Sequence, residues 1–133
     1  MTTSRPDLAT ATEVWLDTDF PLRKDTYVRT TDYWPTSHYF YSQRLKLQYV
    51  DWGNQDKPLL VLIHGGRDHC RNWDWVALTL RDDYHVVAPD LRGHGDSEWA
   101  RGSEYSMIEH VVDIAQLLAQ LDSFPVTLIG HSL

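Results

Sequence analysis

The residues best placed to do chemistry are Gly130-His131-Ser132-Leu133, directly after the apolar run Val126-Thr127-Leu128-Ile129. A serine hydroxyl is a poor nucleophile until a base takes its proton. A Gly-x-Ser at the end of a buried strand is the first part of a nucleophile elbow, in which the chain turns sharply toward a helix and lifts the serine oxygen clear of the sheet. Such an oxygen is suited to attack on a carbonyl carbon. The full pattern asks for a small residue two places after the serine, at position 134, where strand and helix backbones pass closely. The sequence is therefore expected to carry only the opening part of the elbow.

Two further polar loops carry chemistry-bearing side chains. One is His64-Gly65-Gly66-Arg67-Asp68-His69, and the other is Asp90-Leu91-Arg92-Gly93-His94-Gly95-Asp96-Ser97. His64, Asp68, His69, Asp90 and His94 are conceivable as metal ligands. Their spacing matches no established ligand pattern such as His-Glu-x-x-His, so no metal and no cofactor is expected. Cys70 is the single cysteine, which leaves no internal disulfide and reads as a packed thiol.

The bulk composition limits the partners. The chain has 133 residues with 12 Lys and Arg against 19 Asp and Glu, a formal net charge of -7. That balance lacks the basic stripe of a nucleic-acid binder and the basic patch of a protein docked on anionic lipid. The first dozen residues are polar and lack the apolar core of a signal peptide, and no stretch reaches membrane-spanning length. The expectation is a cytoplasmic protein that binds neither nucleic acid nor membrane.

The elements that position the three loops follow from the hydrophobic pattern. Residues 1–35 show no sustained period and read as an N-terminal extension, partly mobile or strapped over the surface by its aromatics; a partner-binding arm is the alternative. Residues 36–133 read as one continuous unit. His38 to Ser42 and Leu45 to Trp52 read as strands, the second alternating apolar and polar residues as a half-exposed antiparallel strand does. Leu59-Leu60-Val61-Leu62-Ile63 is apolar throughout, which means a central strand covered on both faces. Asn72 is placed to cap a helix through about Arg81, with Trp73, Val76, Ala77 and Leu80 on one face. Tyr84 to Ala88 is a further apolar strand. Ser106 and Glu109 form a capping box for a helix to about Asp122, whose core stripe would be Ile108, Val111, Val112, Ala115, Leu118 and Ala119. The last strand is Val126 to Gly130. Strand, helix, strand, helix, strand with unbroken apolar strands predicts an α/β fold with helices over a mainly parallel sheet.

Three loops then fall at the carboxyl ends of three parallel strands, the edge where open α/β sheets bind ligands. In motif, order and strand context, His64-Gly65-Gly66, Asp90-Leu91-Arg92-Gly93-His94-Gly95-Asp96-Ser97 and Gly130-His131-Ser132-Leu133 together resemble the N-terminal half of an α/β-hydrolase-fold protein. The resemblance covers roughly residues 39–133. It implies an incomplete α/β-hydrolase sheet, two N-terminal strands plus three mainly parallel ones with crossover helices. It implies Ser132 as nucleophile and the backbone N–H groups of Gly66 and Leu133 as the oxyanion hole. His64, Gly65, Asp90 and His94 would be structural at the site: His64 braces the oxyanion loop rather than serving as the base, and Asp90 accepts loop N–H groups. His131 would line the pocket floor or pack beside it. Trp73 and Trp75 read as core packing, with an aromatic pocket wall as the alternative.

By the same resemblance, the acid and histidine of the triad follow later strands, in the order Ser, acid, His. Neither is in this sequence, and neither is the lid segment. The serine argues against the dehalogenase and epoxide-hydrolase branches, which use a carboxylate nucleophile. The single His-Gly-Gly fits smaller esterases and carbon–carbon bond hydrolases. One expectation is the N-terminal portion of a serine hydrolase for a small ester-like substrate, inactive alone, with an unpaired last strand that promotes self-association. The other is a non-catalytic binding module or one part of a split enzyme.

Overall fold

The computed structural model describes residues 34–133, and the readings made for residues 1–33 lie outside them. In chain order the elements are β1 (Thr36–Ser42), β2 (Leu45–Asp51), β3 (Leu59–Ile63), a 3-10 turn (Cys70–Trp73), α1 (Asp74–Leu80), β4 (His85–Pro89), α2 (Met107–Leu121) and β5 (Val126–Gly130). β1 and β2 form a hairpin whose turn residues Gln43 and Arg44 both have positive φ, 48° and 68°. That backbone twist matches the twist of the paired strands.

The sheet has five strands in the order β1-β2-β4-β3-β5. β1 pairs antiparallel with β2, placing Phe40 opposite Leu47. β2 pairs antiparallel with β4, Val50 opposite Ala88. β3 lies parallel to β4, Val61 opposite Val87, and parallel to β5, Leu62 opposite Ile129. The two crossovers thus carry the three loop-bearing strands side by side with their carboxyl ends together, as the alternation of strand and helix implied.

The apolar run of β3 is explained by what covers each side. Leu60 and Leu62 pack with Val50, Trp52, Val86, Ala88, Cys70 and Ala77, which is the α1 side. Leu59 and Val61 pack with Phe40, Leu47, Val87 and Leu117, which is the α2 side. Alternate residues of one strand serve two cores, so no position can be polar.

Three expectations are corrected. The helix does not start at Asn72: His69 accepts the Arg71 N–H through Nδ1 and caps a 3-10 turn, and α1 begins at Asp74. The capping side chain precedes the tight turn that leads into the helix. β2 is not half-exposed, because its alternating polar residue Gln48 is also buried. Its backbone N–H donates to Ser97 Oγ and its side chain to Ser37 Oγ, so the loop after β4 covers the face that the pattern assigned to water. The stripe assigned to α2 is also rotated. The capping box forms, with the Ser106 N–H donating to Glu109. But Ile108 and Val111 are 74% and 59% exposed, and His110, Asp113 and Leu117 turn inward. The cause is Arg92, which is fully buried and bonds both oxygens of Asp113 at 2.7 and 2.8 Å. A buried guanidinium must be paired, so Asp113 faces inward and takes the helix with it.

Candidate active site

β5 delivers Gly130 level with Ile63 of β3, and the His131 N–H extends the ladder to the Ile63 carbonyl. The chain then turns at Ser132, whose φ of 44° lies in the left-handed region that side chains seldom adopt. Such strain in a non-glycine residue persists only where surrounding structure over-determines it. Gly65 supplies part of that constraint. A Cβ at this position would stand 2.1 Å from the Ser132 carbonyl oxygen, so only a glycine allows the two loops to touch. At Gly66 a Cβ would lie 3.9 Å from the Leu133 carbonyl carbon. The two residues named as oxyanion donors are therefore neighbours across the loops.

His64 is buried and both ring nitrogens are engaged. Nε2 accepts the Leu91 N–H at 3.0 Å, which fixes the proton on Nδ1, and Nδ1–H donates to the Gly65 carbonyl at 2.7 Å. Burial pushes its pKa below the ordinary imidazole value, more than the nearby Asp90 carboxylate raises it. Neither nitrogen is available to Ser132. Asp90 is also buried, and its carboxylate accepts the Cys70 N–H at 2.7 Å and the Asp96 N–H at 2.9 Å. Gly95, at φ 50°, passes so close that a Cβ there would meet the carboxylate at 2.1 Å.

His94 sits between the two loops. Its Nε2 accepts the Arg67 N–H at 3.1 Å and its Nδ1–H donates to the Arg92 carbonyl at 2.9 Å. Its ring lies 5.2 Å from that of His64. The contact to Arg67 was not legible in the sequence, because nothing in the spacing of residues 67 and 94 signals it.

A cavity of about 430 Å³ opens beside Ser132. Its walls are mostly apolar, from Ile63, Leu91, Met107, Val111, Ile114 and Leu128, and its polar side chains include His110, His131 and Ser132. His110 was absent from the residues singled out in the sequence. It is buried, its Nδ1 has no hydrogen-bond partner, and burial followed by the Arg92 charge pushes its pKa down. Its inward position on α2, one turn before Asp113 to Leu117, was the available signal and was masked by the apolar stripe. Trp73 packs on the α1-side core, whereas Trp75 is 37% exposed; neither lines this cavity. The Cys70 thiol is buried, and desolvation pushes its pKa far up, so it stays protonated.

Among the described residues no histidine or carboxylate hydrogen-bonds the Ser132 hydroxyl, and no group of three or more His, Cys, Asp or Glu side chains could hold a metal ion. No described helix is long and apolar enough to cross a membrane.

Residues 58–133 match the family model for the alpha/beta hydrolase fold. The chain belongs to the α/β-hydrolase-fold family. It is 38% identical over 90 residues to a 3-hydroxybutyrate-oligomer hydrolase of Cupriavidus necator, covering 66% of this chain and 31% of that protein. It is 35% identical over 88 residues to epoxide hydrolase 4 of Mus musculus, covering 65% and 24%. Among solved structures, the thioesterase domain from the curacin biosynthetic pathway superposes with a TM-score of 0.69 at 30% identity, covering 73% of this chain and 35% of that one. The chain thus spans between about a quarter and a third of the length of these hydrolases.

Proposed function

We propose that this chain is the N-terminal portion of a serine hydrolase acting on a small ester-like carbonyl substrate. Ser132 Oγ attacks the carbonyl carbon while a base takes its proton. The oxygen that gains the electron pair is held by the N–H groups of Gly66 and Leu133. Collapse of the tetrahedral intermediate expels the alcohol, which receives that proton, and water then releases the acid from the serine ester. The observation that carries this reading is Ser132 at φ 44°, at the end of β5, with Gly65 against its carbonyl. Serine in place of a carboxylate favours acyl transfer over the chemistry for which the mouse relative is named. His64 and His94 have both nitrogens committed to backbone groups, and His110 and His131 line the cavity without a hydrogen bond to the Ser132 hydroxyl, so this reading assigns the base to a segment outside residues 34–133. The chain by itself is inactive.

A p-nitrophenyl acetate assay tests this. The isolated chain should show no turnover above buffer. Adding a polypeptide that carries the later strands, the acid and the histidine should restore it, and Ser132→Ala should then lower kcat by roughly a million-fold. Steady turnover by the chain alone, abolished in Ser132→Ala, would overturn the claim of inactivity.

The exposed flank of α2 and β5 favours a second reading. Ile108, Val111, Leu128 and Ile129 are 74%, 59%, 48% and 38% exposed, and β5 pairs only with β3 among the described residues. A polypeptide supplying a further strand would cover them, which is what one part of a split enzyme or a binding module requires.

A further inference from the structure

The loops after β3 and β4 are joined by two histidines in a reciprocal arrangement. His64, on the first loop, accepts an N–H from the second loop at Leu91. His94, on the second loop, accepts an N–H from the first loop at Arg67. Each returns its Nδ1–H to a carbonyl of its own loop, Gly65 for His64 and Arg92 for His94. The four bonds need the same tautomer in both rings, proton on Nδ1, and they need both rings neutral, because a protonated imidazole has no acceptor.

Arg67 is the residue that most needs holding. Its φ of 62° is left-handed without being glycine, so the loop is strained at the position directly after Gly66. Its backbone N–H donates to His94 Nε2 at 3.1 Å. The peptide that carries the Gly66 N–H is held at its carbonyl end, where Gly65 O accepts the His64 Nδ1–H, and the following peptide is held where the Arg67 N–H donates to His94.

We infer that His94 is a positioning residue for the oxyanion loop, and that with His64 it forms a crossed clasp which aims the Gly66 N–H only while both imidazoles are neutral. The inference rests on the assignment of Gly66 as an oxyanion donor. The clasp faces Arg67 and Asp68 from the first loop, Asp90 and Arg92 from the second, and His110 from α2. Protonation of His94 turns its Nε2 into a donor pointed at the Arg67 N–H. The bond is then replaced by a repulsive contact, and the strained loop is released.

The test is amide exchange of Arg67 and Leu91, corrected for intrinsic exchange, in the full chain and in two variants. In the wild type both amides should be protected. His94→Phe keeps a ring but no acceptor, so Arg67 should exchange roughly tenfold faster while Leu91 stays protected. His94→Gln restores a side-chain acceptor, so protection of Arg67 should return. Unchanged Arg67 exchange in His94→Phe would overturn the proposal. So would an imidazole nitrogen spectrum of the wild type showing the His94 proton on Nε2, a measurement that needs no variant to fold. Neither readout involves turnover. If the amides behave as expected and Ser132 proves unreactive in a completed protein, the hydrolase assignment fails and the clasp stands.

Discussion

A Cβ built on Gly65 would stand 2.1 Å from the carbonyl oxygen of Ser132 and 2.6 Å from that of His131. The loop after β3 and the turn after β5 are thus in backbone contact, at the turn where Ser132 adopts its left-handed conformation. Gly65→Ala forces one backbone or the other to move. It should cost about 1–3 kcal/mol in urea denaturation, as overpacking does. Gly66→Ala places its Cβ 3.9 Å from the nearest atom and should change stability by no more than about 0.5 kcal/mol. Equal effects of the two substitutions would refute the close-contact account.

Arg92 and Asp113 make the second test. The guanidinium is buried, paired with both oxygens of Asp113, and donates from Nη1 to the Glu104 carbonyl at 2.7 Å. Removing only the carboxylate in Asp113→Ala leaves a buried charge unpaired and should cost about 3–5 kcal/mol. Replacing both partners by apolar residues, Arg92→Met with Asp113→Leu, should cost much less than the single change. Thermal unfolding of the single and double variants measures the difference.

That same pair shows where sequence pattern stops being informative. The five residues of β3 announced a two-sided core because every one is apolar, and both clusters form as that pattern requires. The carboxyl-end loops were legible through glycines with a steric reason, Gly65 and Gly95. The face of α2 was misread because apolar periodicity describes the helix as though the core alone oriented it. One buried ion pair 21 residues apart in sequence outweighs that stripe. The crossed histidines and the cavity position of His110 were likewise hidden, since loop-to-loop hydrogen bonds leave no period to read.

Stability should depend on pH on the acid side of neutrality. Burial holds both His64 and His110 below the ordinary imidazole value of 6.5. In the unfolded chain each takes up a proton at higher pH than in the native state, so the unfolded state binds more protons there. Stability is therefore full above that value and falls as pH drops below it, through the depressed native values. Asp51 adds a second loss at lower pH. Burial would raise its carboxyl, but hydrogen bonds from His85 Nε2 at 2.9 Å and the Gly53 N–H at 2.8 Å bring it below the ordinary 3.8. Its contribution is present above that value and is lost as pH falls through the native one. Urea midpoints across the acid range should decline in this order; a midpoint that rises on acidification would contradict it.

The open edge of β5 should govern solution behaviour. Val126 to Gly130 pair on one side only among the described residues, beside the exposed Leu128 and Ile129. Sedimentation should show the isolated chain associating, and Thr127→Lys, which puts a charge on that strand, should reduce association. A monodisperse monomer that melts cooperatively would contradict this expectation.

Fluorophosphonate labelling of Ser132, read by intact mass and peptide mapping, is the most direct measurement of the central assignment. The chain alone should take no adduct, and the chain completed by a polypeptide with the later strands should take one adduct, at Ser132. An adduct on the isolated chain, or an adduct at any other residue of the completed protein, would contradict it.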